Sequence, residues 1–177
     1  KRCNWMRDLA TAYARTGRSV YAAKFAELMD RWVVDWPLVV DRDFGPRKAI
    51  FSMPDGHKAM PTAFRVISWL DVLYGGIVFA PEVSVETAFG LIRSIWFTAL
   101  QYRRYETSPY VSANHHLWER GTAPFIFGTM LPEFPEVAKL VDQGRPVIAR
   151  HVKHSFLSDG GYEERSTRYT IASFGMF

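Results

Sequence analysis

Residues 4–36, "NWMRDLATAYARTGRSVYAAKFAELMDRWVVDW", place the tightest limit on what this chain can fold into. Apolar side chains recur every three or four positions: Trp5, Leu9, Ala12 and Tyr13, then Tyr21, Phe25, Leu28, Met29 and Trp32. That period belongs to helices with one buried face, not to strands, whose faces alternate every second residue. Gly17 is a stop signal, Ser19 a cap for a second helix and Pro37 its end. Two helices joined by so short a turn form an antiparallel hairpin.

The same grammar continues downstream. Asp41 to Pro61 mixes Gly, Pro, Asp and Lys without a period, so an irregular loop is expected there. A third helix should follow Pro61, with Phe64, Ile67, Trp69, Leu70 and Leu73 apolar and Gly75-Gly76 closing it. Ser84 to Glu106 reads as a long amphipathic helix through Phe89, Ile92, Ile95, Trp96 and Ala99. Another is expected from Asn114 to about Met130, then a proline-punctuated turn and a short helix from Glu136 to Gln143. Pro146 should open one more, ending near Phe156, before "SDGGYEERSTRYT" turns into a last helix. Strand alternation appears nowhere, so the expected class is all-α, built of antiparallel helical hairpins.

At 177 residues the chain has the length of one domain, 1–177. Apolar residues make up 48% and charged residues 23%, which excludes a disordered chain. No apolar run reaches the roughly 18 residues that span a bilayer, and "KRCNWMRDLA" lacks the pattern of a signal peptide. A start at Lys1 with a helix already running suggests a processed chain or an excerpt. The lone Cys3 excludes a disulfide or thiolate zinc site made by this chain alone. A net charge of +4 and a pI near 9.3 suit an acidic partner. The basic residues are scattered, which argues against a nucleic-acid tail.

Three stretches can carry chemistry. In "SANHHLWERG", Asn114 can simply cap a helix and leave His115 and His116 half exposed. Alternatively an Asn amide and an imidazole at a helix start hold a carboxylate. His116 and Glu119, three apart, also have metal-ligand spacing, but no HExxH motif accompanies them, so no metal site is assigned. In "DGGYEERSTRYT", Tyr162 and Tyr169 flank a dense set of charges, and an arginine beside a tyrosine favours the phenolate, a usable base. In "PTAFRVISWL", Arg65 and Trp69 stand one helical turn apart. They form either an ordinary amphipathic face or a guanidinium and ring that receive an acidic sugar. His151 and His154 share a helical face and read first as packed or surface residues.

"NHHLWERG", then "LPEFPE", then "SDGGYEERSTRYT", with "PTAFRVISWL" upstream, together resemble the heparinase II/III-like polysaccharide lyases, which include heparin, heparan and alginate lyases. The resemblance implies part of an incomplete N-terminal (α/α) toroid, with the family's earliest helices and its C-terminal β-sandwich domain outside this chain. It implies β-elimination at a uronic acid: Asn114 and His115 neutralise the carboxylate, and Tyr169 acts as base, acid or both. His116, Glu119, Arg65, Trp69 and Tyr162 would bind substrate or orient the site. Which imidazole faces the sugar stays open.

By the same resemblance the partner is an acidic polysaccharide, and the location periplasmic or secreted in a bacterium. No cofactor falls to this chain, since the family's structural metal and second catalytic residue belong to the sandwich domain. The isolated chain is then expected to be weakly active or inactive. The competing readings are a glycoside hydrolase on a helical toroid, using Glu119 with Asp159 or Glu163, and a non-catalytic carbohydrate-binding helical domain.

Overall fold

The computed structural model describes residues 3–35, 59–102 and 113–174. Every extended element among them is helical, apart from one isolated antiparallel bridge between Phe156 and Tyr162. The chain forms two compact units, Lys1–Gln101 and Tyr102–Phe177. The loop expected at Asp41 to Pro61 lies outside the described residues except for its last three positions.

In the first unit, α1 (Asn4–Thr16) and α2 (Ser19–Asp35) form the expected hairpin. Gly17 ends α1 with φ 63°, and its N–H donates to the Tyr13 carbonyl at 2.7 Å. A side chain there would disfavour that left-handed turn. α2 buries Ala22, Phe25, Met29 and Trp32. In α1 the buried positions are Met6 and Ala10, with Cys3 just before it. Trp5, Leu9, Ala12 and Tyr13 only flank that stripe. The buried face of α1 therefore lies one residue on from the expected one.

Both α2 and α3 (Ala59–Tyr74) pack on α1. α3 starts before Pro61 rather than after it, which a proline in the first helical turn permits, since no intrahelical N–H bond is needed there. It ends as expected: Gly75 donates to the Asp71 carbonyl at 2.8 Å and Gly76 takes φ 81°. A short 3-10 turn at Ile77–Phe79 leads to α4 (Val85–Tyr102). Ser84 caps α4 by accepting the Thr87 N–H at 3.0 Å. The Thr87 hydroxyl in turn donates to Asp30 on α2 at 2.7 Å.

The buried face of α4 matches the expected one only in part: Ile95 and Ala99 lie on it as read. Leu91, Ile95 and Ala99 are buried, with Thr87, Ser94 and Thr98 beside them, while Phe89, Ile92 and Trp96 are exposed. Gly90 lies so close to α2 that an added Cβ would meet the Val33 side chain at 3.3 Å. That close approach and the Thr87–Asp30 bond fix the rotation of α4, which its apolar pattern alone leaves ambiguous.

The second unit holds one long, interrupted helix. α5 (Ala113–His116) runs into a π-helical turn, Leu117–Thr122, and on into α6 (Ala123–Met130). The extent matches the sequence reading; the π turn does not appear in it. After α7 (Pro135–Ala138), α8 runs unbroken from Leu140 to His154. Pro146 therefore lies inside this helix and does not open a new one. A missing N–H costs about 3 kcal/mol in a helix interior. Pro146 and Asp142, whose carbonyl loses its donor, are both exposed, so water can bond that carbonyl.

Burial of the opposite face of α8 against α6 and the π turn offsets that cost. Gly144 makes this packing possible, since a Cβ there would lie 2.5 Å from the Gly121 carbonyl and 2.7 Å from the Phe125 nitrogen. A tight turn with Gly160 at φ 82° then leads to the last helix, α9 (Thr167–Phe174).

Candidate functional site

The second unit brings "NHH", Glu119 and the "DGGYEERSTRYT" segment into one compact body. Asn114, His115 and His116 form the end of α5, where the helix widens into the π turn. Such π insertions recur at functional sites, because they shift the side chains that follow onto a different face. Here the shift buries Leu117, Glu119, Gly121 and Thr122. Tyr169 stands on α9, two residues into the helix.

Glu119 is only 4% exposed. Its Oε1 lies 3.7 Å from His115 Nδ1, and its Oε2 has no hydrogen-bond partner among the described residues. Burial raises its pKa to about 7, against the opposing pull of the Arg120 charge. This carboxyl can therefore hold a proton near neutrality, and at 3.7 Å it neighbours His115 without a hydrogen bond to it.

His116 turns the other way. Its Nδ1 lies 2.9 Å from Nε2 of His151 on α8, and His151 Nδ1 lies 2.7 Å from the Ser155 hydroxyl. His151 and Ser155 are both buried. Burial lowers the His116 pKa, with the His151, Arg150 and Arg120 charges acting in the same sense. Burial also lowers that of His151, where Glu163 opposes and Arg150 reinforces the shift. His154, which the sequence pairs with His151, is exposed. Sequence reasoning missed Ser155 and left His151 without a role; the one local signal was their four-residue spacing on a helix.

An open cavity of about 570 Å³ lies between the Asp159 turn and the start of α9, with Asp159, Arg165, Ser166, Thr167 and Thr170 on its walls. Tyr162 forms its base but exposes none of its own surface, its ring edge-on to Phe156 at 5.5 Å. Tyr162 thus supports this cavity from beneath and is not itself available to a sugar.

Arg65 and Trp69 do share a face of α3, but that face points into the core of the first unit. Arg65 is 0% and Trp69 2% exposed. The Arg65 guanidinium lies 4.9 Å from the Trp32 ring and 5.1 Å from the Trp69 ring, and donates to the Thr62 hydroxyl at 2.8 Å. Stacking on two indoles holds a cation that would otherwise be costly to bury. The expected sugar-binding pair is a packing element, because neither side chain has surface to offer. Among the described residues no group of three or more His, Cys, Asp and Glu is placed to hold a metal ion.

Residues 1–177, the whole chain, match the heparinase II/III N-terminus family. The chain belongs to that family. A heparin-sulfate lyase of Bacteroides thetaiotaomicron is 22% identical over 179 residues, covering 96% of this chain and 22% of the relative. This heparinase II/III N-terminal chain therefore spans about a fifth of that relative's length. No solved structure matches it. No described helix is long and apolar enough to cross a membrane.

Proposed function

We propose that this protein is a polysaccharide lyase that cleaves a uronic-acid-containing polymer, of the heparan sulfate or alginate type, by β-elimination. The observation that carries the reading is the family match over the whole chain, joined to the lyase named among its relatives. In this reading the helical hairpins belong to an incomplete toroid, and the protein works in the periplasm or outside the cell.

The C5 proton of a uronate is too weakly acidic to remove until the adjacent carboxylate charge is neutralised and the enolate that develops is stabilised. Asn114 and His115, at the end of α5, supply that neutralisation. Tyr169 on α9 takes the C5 proton and returns a proton to the departing glycosidic oxygen. Glu119 neighbours His115 at 3.7 Å. The cavity beside α9, with Arg165 and three hydroxyl side chains on its walls, is suited to the hydroxyl and acidic groups of a sugar.

Elimination leaves an unsaturated uronate that absorbs in the ultraviolet, whereas hydrolysis adds water and leaves none. The full-length protein is to be incubated with heparin, heparan sulfate, hyaluronan and alginate, alongside its Tyr169→Phe variant. The expected result is rising absorbance on at least one polymer and its loss in the variant. Folded protein silent on all four, or a variant as active as the parent, would overturn the reading.

A further inference from the structure

Ser155, His151 and His116 form a continuous hydrogen-bonded chain across the second unit, with spacings of 2.7 and 2.9 Å. His151 is 6% and Ser155 3% exposed, so water has little access to their polar atoms. A neutral imidazole has one donor and one acceptor nitrogen, and a serine hydroxyl has a single proton to give. Among the described residues the Ser155 hydroxyl has no hydrogen-bond partner other than His151 Nδ1. A buried O–H left without an acceptor is costly, so Ser155 donates to His151 Nδ1.

That assignment fixes the rest. With Nδ1 accepting, the proton of His151 is on Nε2, and Nε2 donates to His116 Nδ1. The single proton of His116 is then on its own Nε2. The reverse order would place the proton of His116 on Nδ1, make His151 donate to Ser155, and strand the serine proton.

His116 is only partly buried, and its Nε2 has no partner among the described residues. The groups bearing on the two rings are Arg120, Arg150 and Glu163. Two of the three are cations, and both act on His116, where they disfavour its protonation and favour an anion beside it. Protonating His116 as well as His151 would set two N–H groups against each other at 2.9 Å. The relay therefore favours a neutral His116 that gives a hydrogen bond without giving up its proton.

We propose that Ser155 and His151 lock His116 in its Nε2–H form, making His116 a preformed hydrogen-bond donor to the carboxylate of an acidic sugar. This inference rests on the lyase reading above and deepens it. In the lyase reading His116 adds this donor to those of Asn114 and His115, its half-buried ring keeping Nε2 without a partner among the described residues. Ser155 and His151 are positioning residues.

Two measurements on the full-length protein test it. Long-range proton–nitrogen spectra of histidine-labelled protein at pH 7.5 should show His116 with Nε2 protonated and Nδ1 bare, and Ser155→Ala should turn this into a mixture of tautomers. A proton on His116 Nδ1 in the parent protein would overturn the lock.

On a polymer that the parent cleaves, His116→Phe should lose about tenfold or more in kcat/KM, the usual weight of a hydrogen bond to a charged group. His116→Gln places an N–H near the Nε2 position and should stay within about threefold of the parent. Equal losses in both variants, or none in His116→Phe, would overturn the carboxylate assignment and leave the lyase reading standing. A parent protein that cleaves no uronate polymer would overturn the lyase reading and the ligand assigned here, while the spectra still decide the lock.

Discussion

His116 and His151, 35 residues apart in sequence, meet ring to ring with 5.2 Å between centroids and 2.9 Å between the bonded nitrogens. The contact ties the end of α5, which carries Asn114 and His115, to α8. Its strength depends on pH.

Both histidines titrate below their ordinary value of 6.5. The folded state therefore binds fewer protons than the unfolded one as pH falls through this range, and stability drops with it. The contribution is fully present above pH 6.5 and is lost as pH falls through the lowered folded values. Urea denaturation from pH 7.5 down to pH 5 should show this decline, and His151→Gln should make it shallower. An unchanged slope in the variant would show that other groups govern the acid side.

Glu119 works in the opposite direction. Its pKa rises from 4.5 to about 7 in the fold, so the folded state holds the proton longer. Its contribution to stability is present below pH 4.5 and is lost as pH rises through 7. Glu119→Gln, which stays neutral, should be more stable than the parent at pH 8 and closer to it at pH 5. A variant less stable at both pH values would mean that the carboxyl makes a favourable charged contact.

Arg65→Ala should destabilise the protein by about 3 kcal/mol, through the lost stacking and the cavity left between two indoles. Arg65→Lys should not restore it, since an ammonium cannot stack on two rings at once. Denaturant midpoints give both values. Sugar affinity of the folded fraction should match the parent; a selective loss of affinity in folded protein would return Arg65 to the binding surface.

Gly144→Ala places a methyl group 2.5 Å from a backbone oxygen, where no flexible side chain can yield. The expected cost is about 2 kcal/mol or more, as α8 must shift away from the π turn. Because that shift also stretches the His116–His151 contact, the acid-side slope should flatten in the same variant. Thermal denaturation at pH 7.5 and pH 5.5 checks both effects.

The helical class, the hairpin turn at Gly17, the helix start at Ser84 and the stop at Gly75-Gly76 were all legible in the sequence. Each depends on residues within one or two turns of each other, where local sterics and capping bonds decide. The motifs "NHHLWERG" and "SDGGYEERSTRYT" likewise carried the family resemblance without any coordinates.

What tertiary structure alone decided was which way things face. Arg65 and Trp69 look the same on paper whether α3 turns them to solvent or to Trp32. On α4, Phe89, Ile92 and Trp96 are as apolar as Ile95 and Ala99, yet of that expected set only Ile95 and Ala99, with Leu91 beside them, are buried. Helix rotation is set by distant partners such as Asp30 and Val33, and no local period encodes them. Pro146 stays inside α8 for the same reason, because burial against α6 outweighs one lost hydrogen bond. The pairing of His116 with His151 and Ser155 needs a chain reversal between α5 and α8, and only folding brings that about.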